Sequence, residues 1–234
     1  MSDKQGGHNW TAQSLAAVID HTVLRPEATA GDVARLCEEA MEWGFATACV
    51  NPRFVEQAVS LLAGTEVGVC SVAGFPLGAS TCRAKSYEAA EAFAAGAREV
   101  DMVIPVGAAV AGDLAAVAAD VEAVVAARDR ENAEGIVKVI LETAVLEEEM
   151  IRSLCQVVSK AGADFLKTST GFHPAGGATV DAVRLLSECR GGCRVKAAGG
   201  IRTLEQALAM LEAGADRLGT SSGVAIAEAL PGQG

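Results

Sequence analysis

Eight short runs of β-branched and small apolar residues recur along the chain, each separated from the next by a longer Ala-, Glu- and Leu-rich stretch. The short runs are 17–22 (AVIDHT), 47–50 (TACV), 67–72 (VGVCSV), 99–104 (EVDMVI), 137–141 (VKVIL), 164–168 (DFLKT), 194–197 (RVKA) and 217–220 (RLGT). Runs of this length and composition read as strands, and the intervening stretches carry apolar residues at helical spacing. In 113–127, for example, Leu114, Val117, Val121, Val124 and Val125 fall on one helical face. Glycines punctuate the pattern. Helices expected over 31–43, 52–63, 84–95, 147–161, 179–189 and 203–213 are each followed within two residues by Gly44, Gly64, Gly96, Gly162, Gly191 or Gly214, where a left-handed cap costs no side-chain clash. Three of these turns are near repeats: AGAREVD, AGADFLK and AGADRLG. Strict alternation of strand and helix predicts a parallel sheet. Eight units in 234 residues fit a single-domain α/β chain closed into a (β/α)8 TIM barrel with parallel strands. An open doubly wound sheet is the alternative, and no G-x-G-x-x-G follows any strand to favour it. No linker breaks the pattern. The expected organisation is a disordered segment over 1–12, one barrel domain over 13–230 and a short tail over 231–234.

Composition narrows the function classes. Half the residues are hydrophobic, which opposes disorder. Net charge is −11 with only six Phe, two Trp and one Tyr, so the chain lacks the basic patches and rings that nucleic acids require. No apolar run is long enough for a membrane span, and the first ten residues lack the apolar centre of an export signal. The seven cysteines (37, 49, 70, 82, 155, 189, 193) then read as reduced thiols of a cytoplasmic protein. Only Cys189 and Cys193 are close in sequence, without a second pair or a nearby His to complete a metal site.

In a barrel of this kind, chemistry lies at the C-terminal ends of the strands. Ionisable residues interrupt the apolar strands at Asp20, Asp101, Lys138, Lys167 and Lys196. Lysine is almost never fully buried unless paired. Alternation places Lys167 on a face with Phe165 and Ser169, and Asp101 with Glu99 and Val103. If these faces point inward, three lysines and one or two carboxylates converge. The bland reading has the lysines pointing outward or pairing for packing alone. A lysine beside another cation loses its proton more readily, and a neutral amine can form a Schiff base with a carbonyl compound. The set therefore suggests imine chemistry, with a carboxylate moving protons; strand position does not say which lysine attacks.

Three glycine- and hydroxyl-containing loops follow strands: TSTGF (168–172), AGGIR (198–202) and GTSSG (219–223). The last two lie after strands seven and eight and lead into helices, the usual phosphate position in these barrels. No Walker A pattern is present, so a phosphorylated small molecule is indicated rather than a nucleoside triphosphate.

At these residues the chain resembles the deoxyribose-phosphate aldolases. The resemblance is carried by IDHTVLRPEAT (19–29), CVNPRF (49–54), AGFPLGAS (73–80), EVDMVIPVGA (99–108), VKVILET (137–143), AGADFLKTSTGF (161–172), VKAAGGIRT (195–203) and GTSSG. It implies a metal- and cofactor-independent lyase that reversibly cleaves 2-deoxy-D-ribose 5-phosphate to D-glyceraldehyde 3-phosphate and acetaldehyde. It further implies Lys167 as the Schiff-base lysine, Lys196 as its cationic, pKa-depressing neighbour and proton-transfer partner, and Asp101 as proton donor and acceptor. Gly171, Gly199, Gly200, Gly219, Ser221 and Ser222 would hold the phosphate. Asp20, Lys138, Thr170 and Cys49 would line the site in supporting roles, and a homodimer is expected by family analogy.

The chain departs from the pattern in places. Some relatives carry a lysine after TSTG, where this chain has Phe172, leaving backbone N–H groups, hydroxyls and Arg202 for the anion. The C-terminal tyrosine of some members is absent; the one tyrosine is Tyr87. His8, His21 and His173 are too scattered to form a ligand set, and His21 beside Asp20 reads as structural. Another Schiff-base aldolase, a phosphosugar isomerase and a non-catalytic phosphosugar-binding barrel fit the same residues apart from the resemblance.

Overall fold

The computed structural model describes residues 10–230. In chain order the elements are α1 (Ala12–Ala16), β1 (Ile19–Val23), α2 (Ala30–Trp43), β2 (Thr47–Val50), α3 (Val55–Leu61), β3 (Gly68–Ala73), α4 (Cys82–Ala94), β4 (Glu99–Val103), α5 (Val106–Val110) and α6 (Leu114–Glu131). They continue with β5 (Ile136–Ile140), α7 (Glu148–Lys160), β6 (Phe165–Lys167), α8 (Val180–Cys189), β7 (Arg194–Ala198), α9 (Leu204–Glu212), β8 (Arg217–Thr220) and α10 (Gly223–Glu228). All eight strands pair in parallel with their sequence neighbours, and β1 pairs with β8 through Ile19 opposite Leu218. The sheet is thus a closed barrel, not the open alternative.

Local chemistry sets the helix ends. Thr29, Thr81, Thr179 and Thr203 each accept a backbone N–H of the first turn of the helix that follows. Thr29 and Asp32 form a reciprocal capping box, as do Thr203 and Gln206; such pairs satisfy amides that no helical carbonyl reaches. The AGA turns place Gly96, Gly162 and Gly214 at φ 100°, 86° and 106°, a region that a Cβ disfavours. The chain can therefore reverse from helix to strand without a longer loop.

Three boundaries differ from expectation. Residues 52–63 are not one helix: Pro52–Phe54 is a 3-10 turn before α3, because Phe54 has left helical geometry at φ −109°, ψ 4°. The short α5, which the sequence pattern does not announce, follows β4. Within the segment expected to be disordered, residues 1–9 lie outside the described residues, but Trp10 packs against the core and Thr11 caps α1. The barrel domain therefore begins before residue 13. The tail 231–234 also lies outside the described residues.

Strand alternation divides the core. Val100, Met102, Val137, Val139, Leu166 and Val195 belong to one apolar cluster with helix residues such as Val121, Leu154 and Leu186. The opposite strand face carries Asp101, Lys138, Lys167 and Lys196, all within the barrel wall and buried. Among the described residues, no helix is long and apolar enough to cross a membrane.

Candidate active site

Register brings the charged residues together. Asp101 lies opposite Lys138 on β4 and β5, and Lys167 opposite Lys196 on β6 and β7. Asp101 is the hub: its Oδ2 accepts from Lys167 Nζ and Lys196 Nζ, both at 2.7 Å, and its Oδ1 from Lys138 Nζ at 2.8 Å. Asp20 forms a second centre, with Lys196 in contact, Arg217 at 2.6 Å and Thr47 Oγ1 donating at 2.9 Å. Lys138 also contacts Glu99, which Arg217 reaches at 3.3 Å. Lysines pointing outward between helices are thereby excluded.

Charges removed from water persist only when each is met by a partner. Burial alone would raise the Asp101 carboxyl; Lys138, Lys167 and Lys196 outweigh it and hold the group well below the usual carboxylate range. Asp20 is likewise lowered, burial being overcome by Lys196, Lys138 and Arg217. Burial disfavours the Lys196 ammonium, yet Asp101 and Asp20 drive its pKa above the ordinary lysine value; Lys138 is raised in the same way by Asp101, Cys70 and Glu99. The lysines meet through shared carboxylate oxygens. Every lysine nitrogen in the cluster touches a carboxylate, and Lys196 is held as a cation by Asp20 and Asp101.

A cavity of about 320 Å³ opens at the C-terminal ends of the strands. Of the buried charged residues, only Lys167 lines it. Asp20, Asp101, Lys138, Lys196 and Cys49 do not; they lie buried in the barrel. The three loops expected to hold phosphate meet at this mouth: Thr170 and Gly171, then Gly199 and Gly200, then Gly219 and Ser221. Ser222 does not line the cavity; its N–H donates to Thr220 Oγ1 at 2.9 Å. The loops approach backbone to backbone. A Cβ on Gly199, at φ 95°, would stand 3.0 Å from Gly177 Cα and 3.1 Å from Gly171 Cα. Phe172 packs edge-on against Phe75 with centroids 5.2 Å apart, and Arg25 and Arg202 add positive charge to the lining. Arg25 is engaged by Asp32 at 2.6 Å.

Four residues of the assembly have no role that the sequence alone assigns. Glu99 and Arg217 complete the charge network from strand positions. Cys70, opposite Cys49 in the β2–β3 register, donates to Asp101 Oδ1 and accepts from Lys138 Nζ, each at 3.3 Å. Glu142 is buried and holds the only positive φ of a non-glycine residue among those described, 58°. Its carboxylate accepts from Thr170 Oγ1 at 2.6 Å and from Thr170 N at 3.3 Å, while Thr170 Oγ1 accepts from Phe172 N at 3.1 Å. A carboxylate carried on a left-handed backbone thus ties down the loop that follows Lys167. His21 faces away from the cluster, with Nε2 2.6 Å from Glu39 and its ring against Phe45, a structural placement.

Residues 14–229 match the DeoC/LacD family aldolases. A deoxyribose-phosphate aldolase of Mycolicibacterium paratuberculosis is 52% identical over 225 residues, 94% of this chain and 98% of that protein. The one from Carboxydothermus hydrogenoformans is 49% identical over 221 residues, 94% and 96% of the two chains. Among solved structures, the tetrameric deoxyribose phosphate aldolase of Aeropyrum pernix superposes with a TM-score of 0.87 at 36% identity, covering 93% of this chain and 91% of that one. With a closed barrel, a lysine–carboxylate hub beneath its mouth and likeness over nearly the full described length, the chain belongs to the DeoC/LacD family of aldolases.

Proposed function

We propose that this chain is a class I deoxyribose-phosphate aldolase that forms its imine on Lys167. The observation carrying the assignment is positional. Of three buried strand lysines, Lys167 alone reaches the cavity, and its nitrogen shares one carboxylate oxygen, Asp101 Oδ2, with Lys196.

Cleaving a carbon–carbon bond requires somewhere for its electrons to go. Lys167 Nζ attacks the aldehyde carbon of the open-chain deoxysugar and water leaves, giving a protonated imine. A base removes the proton of the C3 hydroxyl, the C2–C3 electrons move into the imine, and D-glyceraldehyde 3-phosphate departs. The enamine left on Lys167 is protonated at C2, and hydrolysis of the resulting imine returns acetaldehyde and the amine. Asp101 and Lys196 suit the proton steps, relayed through water. Asp101 stays ionised and can accept, while Lys196 stays cationic and keeps the shared carboxylate in register. The backbone N–H groups of Gly171, Gly199, Gly200 and Gly219, with the Ser221 hydroxyl and Arg202, suit the substrate phosphate. Thr170, Asp20, Lys138 and Cys49 are supporting residues, and Ser222 serves through the Thr220 turn.

Incubation with 2-deoxy-D-ribose 5-phosphate tests the assignment. Equal amounts of triose phosphate and acetaldehyde are expected, with none from Lys167→Ala. Cleavage only with a keto-acid donor, or phosphosugar binding without cleavage, would replace this reading with another aldolase or a binding barrel. A cytoplasmic homodimer is proposed with it. Sedimentation at a two-chain mass supports the dimer, and a one-chain or four-chain mass overturns it.

A further inference from the structure

Two successive glycines form the middle of the loop after β7. Gly199 and Gly200 hold φ of 95° and 82°, and a Cβ on Gly200 would meet nothing within 4 Å. Glycine loses more conformational freedom on ordering than any other residue, so a subsite built on these amides needs other groups to hold it. Those groups are threonine hydroxyls on the two neighbouring strands. On the β6 side, buried Thr168 engages both backbone groups of Ala198: its Oγ1 donates to the Ala198 carbonyl and accepts from Ala198 N, each at 3.1 Å. On the β8 side, buried Thr220 donates to the Ile201 carbonyl at 2.6 Å and accepts from Ser222 N at 2.9 Å. Ala198 precedes the glycine pair and Ile201 follows it. We infer that Thr168 and Thr220 are positioning residues for a phosphate monoester: their hydroxyls bracket Gly199 and Gly200 and hold the amides of this loop in the arrangement that receives the anion.

The amides around the pair divide into occupied and open ones. Ala198 N donates to Thr168, and Arg202 N donates to Gln206 Oε1 at 2.8 Å. Among the described residues this leaves the amides of Gly199, Gly200 and Ile201, and all three residues line the cavity. Hydrogen bonds to an ionised phosphate are strong, and donors fixed before binding avoid the ordering cost that a loose loop incurs. A third tie completes the bracket, since the Gly199 carbonyl accepts from Ala178 N at 3.0 Å. Thr220 does more than hold Ile201. Through Ser222 N it also sets the turn that carries Ser221, another residue of the cavity lining. One hydroxyl therefore fixes the β7 and β8 loops relative to each other, and it does so without touching the sugar. Valine has nearly the shape of threonine but no hydroxyl, so Thr220→Val releases Ile201 and Ser222 without opening a void. The inference rests on the phosphate reading given above and adds the residues that hold the subsite in place.

Inorganic phosphate is a probe that needs no turnover. Its binding to the full chain is followed by phosphorus NMR titration, beside cleavage assays with 2-deoxy-D-ribose 5-phosphate and with unphosphorylated 2-deoxy-D-ribose. Thr220→Val should weaken phosphate binding and raise KM for the phosphorylated sugar by about 10- to 100-fold, the effect of losing one or two buried hydrogen bonds. Its kcat, and its kcat/KM for the unphosphorylated sugar, should stay near the wild-type values. Thr220→Ser keeps the hydroxyl and should restore both phosphate readouts. Thr168 adjoins Lys167, so Thr168→Val is judged on inorganic phosphate alone, with weaker binding expected and Thr168→Ser binding as wild type does. Should Thr168→Val fail to fold, as circular dichroism would show, the Thr220 pair of variants decides. Unchanged phosphate binding in Thr220→Val overturns the inference. So does an equal loss on both sugars, which would make the hydroxyl a tie of the barrel alone, and so does a serine variant as weak as its valine counterpart. A wild-type chain that binds phosphate but does not cleave overturns the aldolase reading and leaves the positioning test running on phosphate binding. A wild-type chain that binds no phosphate overturns the subsite itself.

Discussion

Asp101 is the residue on which the site turns, since three lysines share its two oxygens. Asp101→Asn keeps the shape and removes the charge. Loss of a positioned proton carrier is expected to lower kcat by roughly 100- to 10,000-fold. Leaving buried cations underpaired should cost about 3–5 kcal/mol in unfolding, read by denaturant titration. Glu142 acts at one remove, through Thr170. Glu142→Gln should raise KM for the phosphorylated sugar by about 10- to 100-fold, the worth of a charged hydrogen bond, and leave kcat/KM for unphosphorylated 2-deoxyribose little changed. An equal loss on both substrates would assign Glu142 to folding alone. Residues differ in how legible they are before folding, and the difference is physical. Lys138, Lys167, Lys196 and Asp101 interrupt apolar strands, where a charge has to find a partner. Glu99 and Arg217 open their strands, where a charge ordinarily meets water. Glu142 follows β5 with nothing in its chemistry to announce a left-handed backbone. The Cys49–Cys70 contact depends on β2–β3 register, which spacing along the chain does not reveal.

At the scale of elements, glycine punctuation marks six of the eight strands, β2, β3, β4, β6, β7 and β8, because the turn from the preceding helix uses a positive φ at Gly44, Gly64, Gly96, Gly162, Gly191 or Gly214; β1 and β5 are read from their apolar runs alone. The five-residue helices α1 and α5 were not readable. Helices this short span little more than one turn and give no period to detect. Loops carry the substrate side of the site, and their backbones meet at Gly171, Gly177 and Gly199. Gly199→Ala forces a Cβ into that contact and into an unfavourable φ. Strain and overpacking together predict a stability loss of about 2–4 kcal/mol and a raised KM for the phosphorylated sugar, because the β6 and β7 loops are pushed apart. An unchanged KM in Gly199→Ala would mean that these loops do not hold the phosphate.

For the whole molecule, alternation of strand and helix could not by itself separate a closed barrel from an open sheet; the β1–β8 pairing decides it. Closure is also what brings Asp20 of β1 to Lys196 of β7 and Arg217 of β8. The net charge of −11 therefore describes the outside of a protein whose interior concentrates lysine. That interior has a pH signature. Asp101 and Asp20 are lowered, so their stabilisation is full above the ordinary carboxylate value of 3.8 and is lost as pH falls toward their depressed values. Lys138 and Lys196 are raised, so theirs is full below 10.5 and is lost only as pH climbs beyond it. The stability gap between wild type and Asp101→Asn should be constant from about pH 5 to 9 and narrow below about pH 4. A gap that changes through neutrality would contradict ionisation of Asp101 across that range. The central claim, that this charged interior exists to make an imine on Lys167, is tested most directly by borohydride reduction in the presence of 2-deoxy-D-ribose 5-phosphate, followed by peptide mass analysis. The account predicts a stable adduct on the peptide bearing Lys167 and none in Lys167→Ala. An adduct on Lys138 or Lys196 instead, or cleavage with no trapped lysine, would contradict it.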